Sequence, residues 1–292
     1  MEQILRVSLI LFTTDRSIRG LKVMKVEVLG NAQDGGVPHL GCECEVCETA
    51  RQDPGKSKRI SSLMLKEGEG DNSNAKYLID ATPDIRYQIK GDYIDGIFLS
   101  HEGLGHMTGL LFLGKESYDY EGIPVYTSKK NNDFLEKNDP YRFLKDRGNI
   151  EVTEIEDGDE QDLMNGYVEI IETEHPQVET DNFCFMIHGE DRKLFYISDI
   201  HEWSHKIIEK VKEADVAILD GTFWSADEIE RYNEVPHPTI TTTMDEMKDV
   251  DTEIYFTHLN HTNPVYREDS EEREELEDRG FKVAEQGMEF EI

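Results

Sequence analysis

Short apolar stretches with the composition of β-strands recur along this chain of 292 residues, and several end in a histidine or an aspartate. The predicted strands are residues 25–29, 77–79, 96–99, 125–127, 168–171, 183–187, 194–197, 216–219 and 254–257. Helical periodicity lies between them, at residues 108–115, 204–212, 244–249 and 270–279. The polar residues close to strand ends are Asp80, His101, Asp199, Asp220 and His258. Since α/β proteins build their sites at strand ends, the pattern predicts mixed α/β layering with a polar site there.

A single domain is predicted, because the chain shows no internal repeat, no low-complexity linker and no sharp change of composition. Met24 opens the first strand pattern, so residues 24–292 are assigned to the domain and residues 1–23 to a dispensable N-terminal extension. The apolar stretch in that extension is short for a signal peptide and lacks a small-residue cleavage site, which favours a cytoplasmic protein. Residues 67–74, EGEGDNSN, are expected to form an exposed, hairpin-like loop.

The formal net charge of -32 limits the classes of partner. Affinity for nucleic acid rests mostly on Lys and Arg, so a chain this acidic is not expected to bind it. No apolar run approaches the roughly 20 residues that a membrane span needs, so no membrane partner is expected. The expected ligand is a small-molecule or peptide-derived substrate, and a homodimer is left open.

Three of the four cysteines lie together in the segment GCECEVC, at Cys42, Cys44 and Cys47. One loop with this spacing can wrap three thiolates around a single ion, and a tetrahedral zinc then needs one more ligand. His258 and His261 follow the last strand, and of the two we expect His261 to complete a structural zinc site. Free thiols and a redox dithiol are the alternatives. The fourth, Cys184, is expected to be a small buried apolar residue.

The preceding glycine-rich segment, GNAQDGG, lacks the Lys-Ser/Thr ending of a P-loop. We interpret it as a tight turn that carries the chain to the cysteines.

Histidines and one aspartate at strand ends predict a second metal site. His101 and His106 lie in a glycine-containing turn and are five residues apart, which excludes the HExxH motif of zinc proteases. Three more residues follow predicted strands: His175, Asp199 and His258. Four histidines and a carboxylate form an N/O site suited to zinc, iron or manganese.

The order of these motifs resembles the metallo-β-lactamase superfamily and, within it, most closely the B protein family of pyrroloquinoline quinone (PQQ) biosynthesis. The resemblance rests on segments that span residues 30–292: GNAQDGGVPHLGCECEVC, LIDATPDIRYQI, HMTGLLFLG, LDGTFWSADEI and HLNHTNPVYREDSEEREELEDRGFKVAEQGMEFEI. The cysteine cluster and the HxxH pair also resemble the cyclic phosphodiesterase of the carbon-phosphorus lyase pathway.

The resemblance implies an αββα four-layer sandwich of the α/β class, with a metal cleft at one edge. It also implies that His261 joins the cysteines on a structural zinc and that His258 faces one or two catalytic metal ions, which are zinc, iron or manganese. Asp199 would bridge the catalytic metal ions or orient what they bind. His237, in VPHPTI, stands where members of the superfamily often place a histidine near the substrate, and it is a candidate proton donor.

The chain departs from the superfamily at the turn that reads HxHxDH, because Gly103 replaces the second histidine and Gly105 the aspartate. Two ligand sets remain by the resemblance: His101, His175 and Asp199 for the first metal, and His106, Asp199 and His258 for the second. Three ligands still leave an open position for water or substrate. Glu102 and His201 are candidate replacements for the absent ligands.

Three functions follow from these observations. The first is a metal-dependent hydrolase in which a metal-activated water attacks an ester or phosphodiester. The second is an iron-dependent oxygenase acting in the biosynthesis of a PQQ-like cofactor. The third is a non-catalytic metal-binding protein, because two usual ligands are glycines.

Overall fold

Fourteen strands form two mixed sheets in the computed structural model, which describes residues 22–69, 72–91, 93–173, 181–230, 232–235 and 237–292. The first sheet comprises β1 (Lys22–Gly30), β2 (Ser62–Glu69), β3 (Asn72–Ile79), β4 (Gly96–Phe98), β5 (Ile123–Thr127), β6 (Ile150–Glu154) and β14 (Glu289–Glu291). The second comprises β7 (Glu160–Asp162), β8 (Tyr167–Thr173), β9 (Asn182–His188), β10 (Lys193–Tyr196), β11 (Val216–Asp220), β12 (Glu253–Thr257) and β13 (Lys282–Val283). The strand orders are β14-β1-β2-β3-β4-β5-β6 and β13-β12-β11-β10-β9-β8-β7.

The α-helices among the described residues are α1 (Glu45–Gln52), α2 (Ile85–Gln88), α3 (Leu104–Met107), α4 (Lys129–Lys137), α5 (Tyr141–Asp146), α6 (His205–Glu213), α7 (Ile240–Glu246) and α8 (Glu271–Asp278). None of these helices is long and apolar enough to cross a membrane.

Three apolar layers hold sheets and helices together. The layer between the sheets includes Val26 and Leu65 from the first sheet and Phe185 from the second. A second layer packs Ile207 of α6 against the outer face of the second sheet, and a third packs Leu135 of α4 against the outer face of the first. Since each sheet buries both faces, the predicted αββα four-layer sandwich is confirmed.

Strand β9 shows how the sequence produces this layering. Phe183 and Phe185 face the layer between the sheets, whereas Cys184 and Met186 face the outer layer. Both faces of the strand are covered, so its sequence is one continuous apolar run rather than an alternating one. Cys184 is fully buried, which raises the pKa of its thiol, and it is the small buried residue that the sequence predicts.

The segment predicted as helix 108–115 is instead α3 followed by a tighter 3-10 turn at Thr108–Leu113. The backbone N–H of Gly109 donates to the carbonyl oxygen of Ala81 at 2.7 Å, so this segment is held against the end of β3. The predicted helix 244–249 begins four residues earlier and ends three residues earlier, as α7. Its first turn is capped by Thr239, whose Oγ1 accepts from the backbone N–H of Thr242 at 3.2 Å.

The prediction of an exposed loop at residues 67–74 is wrong for most of its length, because residues 67–69 belong to β2 and residues 72–74 to β3. Strand β2, which the sequence analysis missed, runs to Glu69, and the side chain of Glu67 is fully buried. Its carboxylate accepts from the backbone N–H groups of Met164 at 3.0 Å and Asn165 at 2.6 Å. These contacts join residues almost a hundred positions apart, and they satisfy the carboxylate in the interior.

Strand β1 begins two residues before Met24, because Lys22 pairs with Glu69 of β2. Two residues assigned to the N-terminal extension therefore belong to the sheet. Residues 1–21 lie outside the described residues, so the dispensability of the extension stays a prediction.

Candidate metal centre

Strand direction brings the predicted site residues to one edge of the sandwich. Strands β3 and β4 are parallel, as are β10, β11 and β12, so their carboxyl ends meet at the same edge. The two sheets are joined at this edge by Ser61 and Thr257, whose hydroxyl oxygens are 3.1 Å apart. Five strand-end residues converge there: Asp80, His101, Asp199, Asp220 and His258.

Asp199 stands at the centre of the histidines. Its Oδ2 atom lies 3.8 Å from Nε2 of His101, 3.7 Å from Nε2 of His106 and 3.7 Å from Nε2 of His258. All four side chains are buried. One carboxylate oxygen almost equidistant from three imidazole nitrogens is suited to share metal ions with them.

The other nitrogen of each histidine is fixed by hydrogen bonds. His106 donates through Nδ1 to Oδ2 of Asp80 at 2.7 Å. The hydroxyl of Ser100 donates to Asp80, so it accepts from Nδ1 of His101 at 3.0 Å. Thr222 likewise donates to Asp220 and accepts from Nδ1 of His258 at 3.0 Å. Because Nδ1 of each ring is engaged by these acceptors, Nε2 is the nitrogen that faces the centre and can bind a metal.

Two residues at this edge adopt left-handed backbone conformations although neither is glycine. Asp80 has φ of 64° and His258 has φ of 57°. Such a conformation costs on the order of 1–2 kcal/mol. Packing must outweigh that cost, and at His258 the backbone N–H donates to Ser61 at 2.9 Å. Both strained residues aim side chains into the same site.

Buried atoms that lack hydrogen-bond partners test whether a metal fits. Within the described part of the chain, Nε2 of His106 and Nε2 of His258 are buried and form no hydrogen bond. Unpaired buried polar atoms cost about 1–3 kcal/mol each, and a metal ion would satisfy both. The set of imidazole and carboxylate donors fits zinc, iron or manganese.

His237 contacts carboxylates and lies beside a cavity. Its Nδ1 atom is 2.7 Å from Oδ2 of Asp220 and 3.4 Å from Oδ1 of Asp199. Burial lowers the pKa of His237, but these two carboxylates outweigh burial and raise it to about 9. His237 also lines a cavity of about 420 Å³ together with Trp203 and Tyr232. The side chain therefore stands between the carboxylates and space for a ligand, with a proton on Nδ1.

Not every predicted ligand is at this centre. His175 lies outside the described residues, so the first predicted ligand set stays a prediction. Neither Glu102 nor His201 belongs to any metal-competent group of described residues, and His201 instead lines the cavity beside His237.

Sequence analysis missed two acidic residues at the centre. Asp220 carried the right signal, a strand end, but received no role; it accepts from Thr222 and contacts His237. Asp34 lies in the segment interpreted as a structural turn, and its Oδ1 atom is 3.3 Å from Nε2 of His106. Only the fold brings these two segments together.

The cysteines form a second, separate cluster with His261. Its Nδ1 atom lies 3.3 Å from Sγ of Cys42 and 3.6 Å from Sγ of Cys44, and the four donor atoms, including Sγ of Cys47, are within 4.8 Å of one another. Sulfur and nitrogen ligands of a tetrahedral zinc are separated by about 3.6 Å, so the spacing fits zinc. The structure places His261 here and His258 at the other centre.

Local structure prepares these groups for a metal. Burial raises the pKa of Cys44, but the backbone amide of Cys47 and the thiol of Cys42 outweigh it and lower that pKa. Burial raises the pKa of Cys47 to about 12, so a cation is needed to deprotonate it. Burial lowers the pKa of His261, which keeps its ring neutral and able to bind.

We expect Asp80→Asn to weaken metal binding at the histidine centre by about 10–100-fold, the usual effect of losing a group that orients a metal ligand. Asparagine tolerates the left-handed backbone, but its amide no longer holds the proton on Nδ1 of His106. Zinc affinity is measured by competition with a chelator. An affinity equal to that of the unmodified protein would contradict this role, and zinc at the cysteines should not change.

Glu228 supports the loop of His261 and makes stability depend on pH. Its carboxylate accepts from Thr262 at 2.5 Å and from the backbone N–H of Trp224 at 2.6 Å, yet burial raises its pKa to about 7. A raised carboxyl pKa stabilises the fold below pH 4.5, and this stabilisation is lost as the pH rises towards 7.

We therefore expect Glu228→Gln to raise the free energy of unfolding at pH 8 by about 1–3 kcal/mol and to change it little at pH 4.5. Denaturant unfolding at both pH values measures this. Glu253→Gln is the control and should change the free energy of unfolding in the opposite direction, because the hydrogen bond that Lys282 donates to Glu253 lowers the pKa of that carboxyl. Equal effects of Glu228→Gln at both pH values would refute the assignment.

Comparison with known proteins adds to this geometry. The family model described as "Beta-lactamase superfamily domain" matches residues 75–259, more than half of the chain. Coenzyme PQQ synthesis protein B of Acinetobacter baumannii (strain SDF) is 26% identical in an alignment 314 positions long, which includes 92% of this chain and 100% of that protein.

Two solved structures share the fold. Zn(2+)-bound PqqB from Methylobacterium extorquens has a TM-score of 0.78 and 22% identity, covering 92% of this chain and 100% of that one. A diphosphatase from the PhnP family has a TM-score of 0.70 and 22% identity, covering 92% of this chain and 97% of that one. By the family match and by its fold, the chain belongs to the beta-lactamase superfamily.

Proposed function

We propose that this protein is a metal-dependent hydrolase that cleaves an ester or phosphodiester of a small-molecule or peptide-derived substrate. The observation that carries the proposal is Oδ2 of Asp199, which lies 3.7–3.8 Å from Nε2 of three buried histidines. Similarity to a PhnP-family diphosphatase and to a zinc-bound PqqB supports it.

The residues that would hold one or two metal ions are His101, His106, Asp199 and His258, with His175 as a predicted further ligand. A divalent cation held by these residues would lower the pKa of a bound water, which could then attack the ester. The hydrogen bonds that the three imidazoles donate to Asp80, Ser100 and Thr222 fix the rings before any metal arrives, so little reorganisation is needed.

His237 is assigned the role of proton donor to the leaving group. Its Nδ1 proton is committed to Asp220, so Nε2 is the atom that gives a proton to the leaving oxygen. The carboxylates of Asp220 and Asp199 raise the pKa of the ring, which favours the protonated form that a general acid needs. Asp220 positions this ring.

Zinc held by Cys42, Cys44, Cys47 and His261 has a different role. Four protein ligands would leave no position for substrate, so this ion would stabilise the fold and take no part in the chemistry. It would join α1, which carries Cys47, and the loop before α1 to the loop after β12, which carries both His258 and His261.

The similarity to coenzyme PQQ synthesis protein B over 92% of the chain favours a second candidate, an iron-dependent oxygenase. A histidine and carboxylate centre with open positions suits non-haem iron as well as zinc.

Metal analysis of protein purified without added metal separates these functions. Zinc or manganese at the histidine centre, together with turnover of a phosphodiester, supports the hydrolase. Iron with substrate-dependent oxygen consumption would replace it with the oxygenase. Metal at the cysteines alone would refute both and identify a non-catalytic protein.

A further inference from the structure

We propose that Asp34 is a ligand of the second catalytic metal ion, with His106 and His258, and that Gly105 is glycine because the carboxylate of Asp34 needs its space. The inference rests on the proposed function, since it concerns the metal ions of the same centre.

Asp34 directs its carboxylate at two histidine nitrogens. Its Oδ1 atom lies 3.3 Å from Nε2 of His106 and 3.5 Å from Nε2 of His258. Oδ1 is buried and, among the described residues, forms no hydrogen bond, as is true of the two nitrogens. Three candidate metal ligands thus face one another at ion-pair distances without forming a hydrogen bond of good geometry.

The spacing of these atoms fits a shared ion better than a set of hydrogen bonds. Charge-assisted N–H···O bonds have N···O distances of about 2.7–2.9 Å, shorter than the separations here. Two ligands held at about 2.1 Å from one ion, at angles between octahedral and tetrahedral values, are separated by about 3.0–3.4 Å. The distances from Asp34 to the two histidines are close to this range.

Gly105 makes room for this carboxylate. A β-carbon at position 105 would lie 2.2 Å from Oδ1 of Asp34 and 2.9 Å from its Cγ atom. The φ angle of Gly105 is outside the left-handed region, so its backbone would accept other residues. Space therefore explains this glycine. The superfamily turn has an aspartate at the position of Gly105. In this chain the carboxylate comes from Asp34 instead.

Backbone pairing fixes Asp34 against the strand end that carries His258. The backbone N–H of Leu259 donates to the carbonyl of Asn31 at 2.8 Å, and that of Gln33 donates to the carbonyl of Leu259 at 2.9 Å. The turn closes at Gly36, whose φ of 60° favours glycine. Asp34 is thus positioned by the same segment as one of its partner histidines, which gives the preorganisation that a metal ligand needs.

The test counts zinc in protein that was loaded with zinc chloride and freed of excess metal. Asp34→Ala should hold one zinc fewer than the unmodified protein, with an affinity at the lost position at least about 100-fold weaker, since even indirect supports of a metal cost 10–100-fold. Asp34→Asn, which preserves shape, should also lose affinity. Asp34 and Asp84 both line a cavity of about 660 Å³, and Asp84→Asn is the control because the carboxylate of Asp84 accepts from the backbone N–H of Ile60.

Gly105→Ala supplies an independent test of the same inference. Its methyl group should displace the Asp34 carboxylate, so it should lose the same zinc and destabilise the fold. In an Asp34→Ala background most of that destabilisation should disappear, because the space is vacated. An unchanged zinc count in Asp34→Ala, or an equal cost of Gly105→Ala in both backgrounds, would overturn the inference and leave the proposed function standing. Unmodified protein that holds zinc only at the cysteines would overturn both.

Discussion

Replacing Asp199 with asparagine should reduce turnover of a chromogenic phosphodiester by about 1000-fold and remove metal from the histidine centre. Asparagine is neutral and offers one carbonyl oxygen, so it cannot share metal ions among His101, His106 and His258 as the carboxylate can. Metal catalysis of this kind contributes several kcal/mol, and about 4 kcal/mol corresponds to this factor.

The measurements are steady-state kinetics with metal in excess and metal content after its removal. Asp53→Asn is the matched control, because Asp53 is exposed and accepts a backbone N–H from Gly55, which asparagine also does. Full activity in Asp199→Asn would show that the histidine centre is not where hydrolysis occurs.

Cys44→Ser should lower the free energy of unfolding by about 4 kcal/mol and release one zinc ion. A site occupied at roughly a thousand times its dissociation constant contributes about this much to stability, and serine does not replace a thiolate on zinc. Catalytic activity in the zinc-replete variant at low temperature should fall far less than in Asp199→Asn, because the cysteines lie outside the histidine centre.

Cys184→Ser is the control for the cysteine prediction. Cys184 lies outside the cysteine cluster, in the apolar layer on the outer face of the second sheet. Its thiol donates to the carbonyl of Ile171 at 3.3 Å. We expect about 1 kcal/mol of destabilisation there and an unchanged zinc count. Equal stability losses in the two variants, with no zinc released by Cys44→Ser, would refute a structural zinc.

The sequence was informative wherever a local pattern determined the structure. Apolar runs followed by His or Asp locate the ends of strands, and parallel pairing then brings Asp80, Asp199 and His258 to one edge. The close spacing of the cysteines likewise indicates a metal cluster before any fold is known. In both cases the signal lies within a few residues.

What the sequence did not reveal depends on distant contacts. Asp34 acquires its position because the turn after β1 pairs with Leu259, and no periodicity in GNAQDGG signals that pairing. Glu67 is buried because backbone amides at positions 164 and 165 satisfy it. Gly105 looked like the loss of a ligand, and only the position of the Asp34 carboxylate gives it a structural reason.

Anomalous diffraction from crystals of the full chain grown with zinc chloride tests the central claim most directly. Data above and below the zinc absorption edge locate each zinc ion without reference to activity. We predict one peak among Cys42, Cys44, Cys47 and His261, and at least one bounded by Asp199, His106 and His258. A peak at the cysteines with none at the histidines would contradict the account.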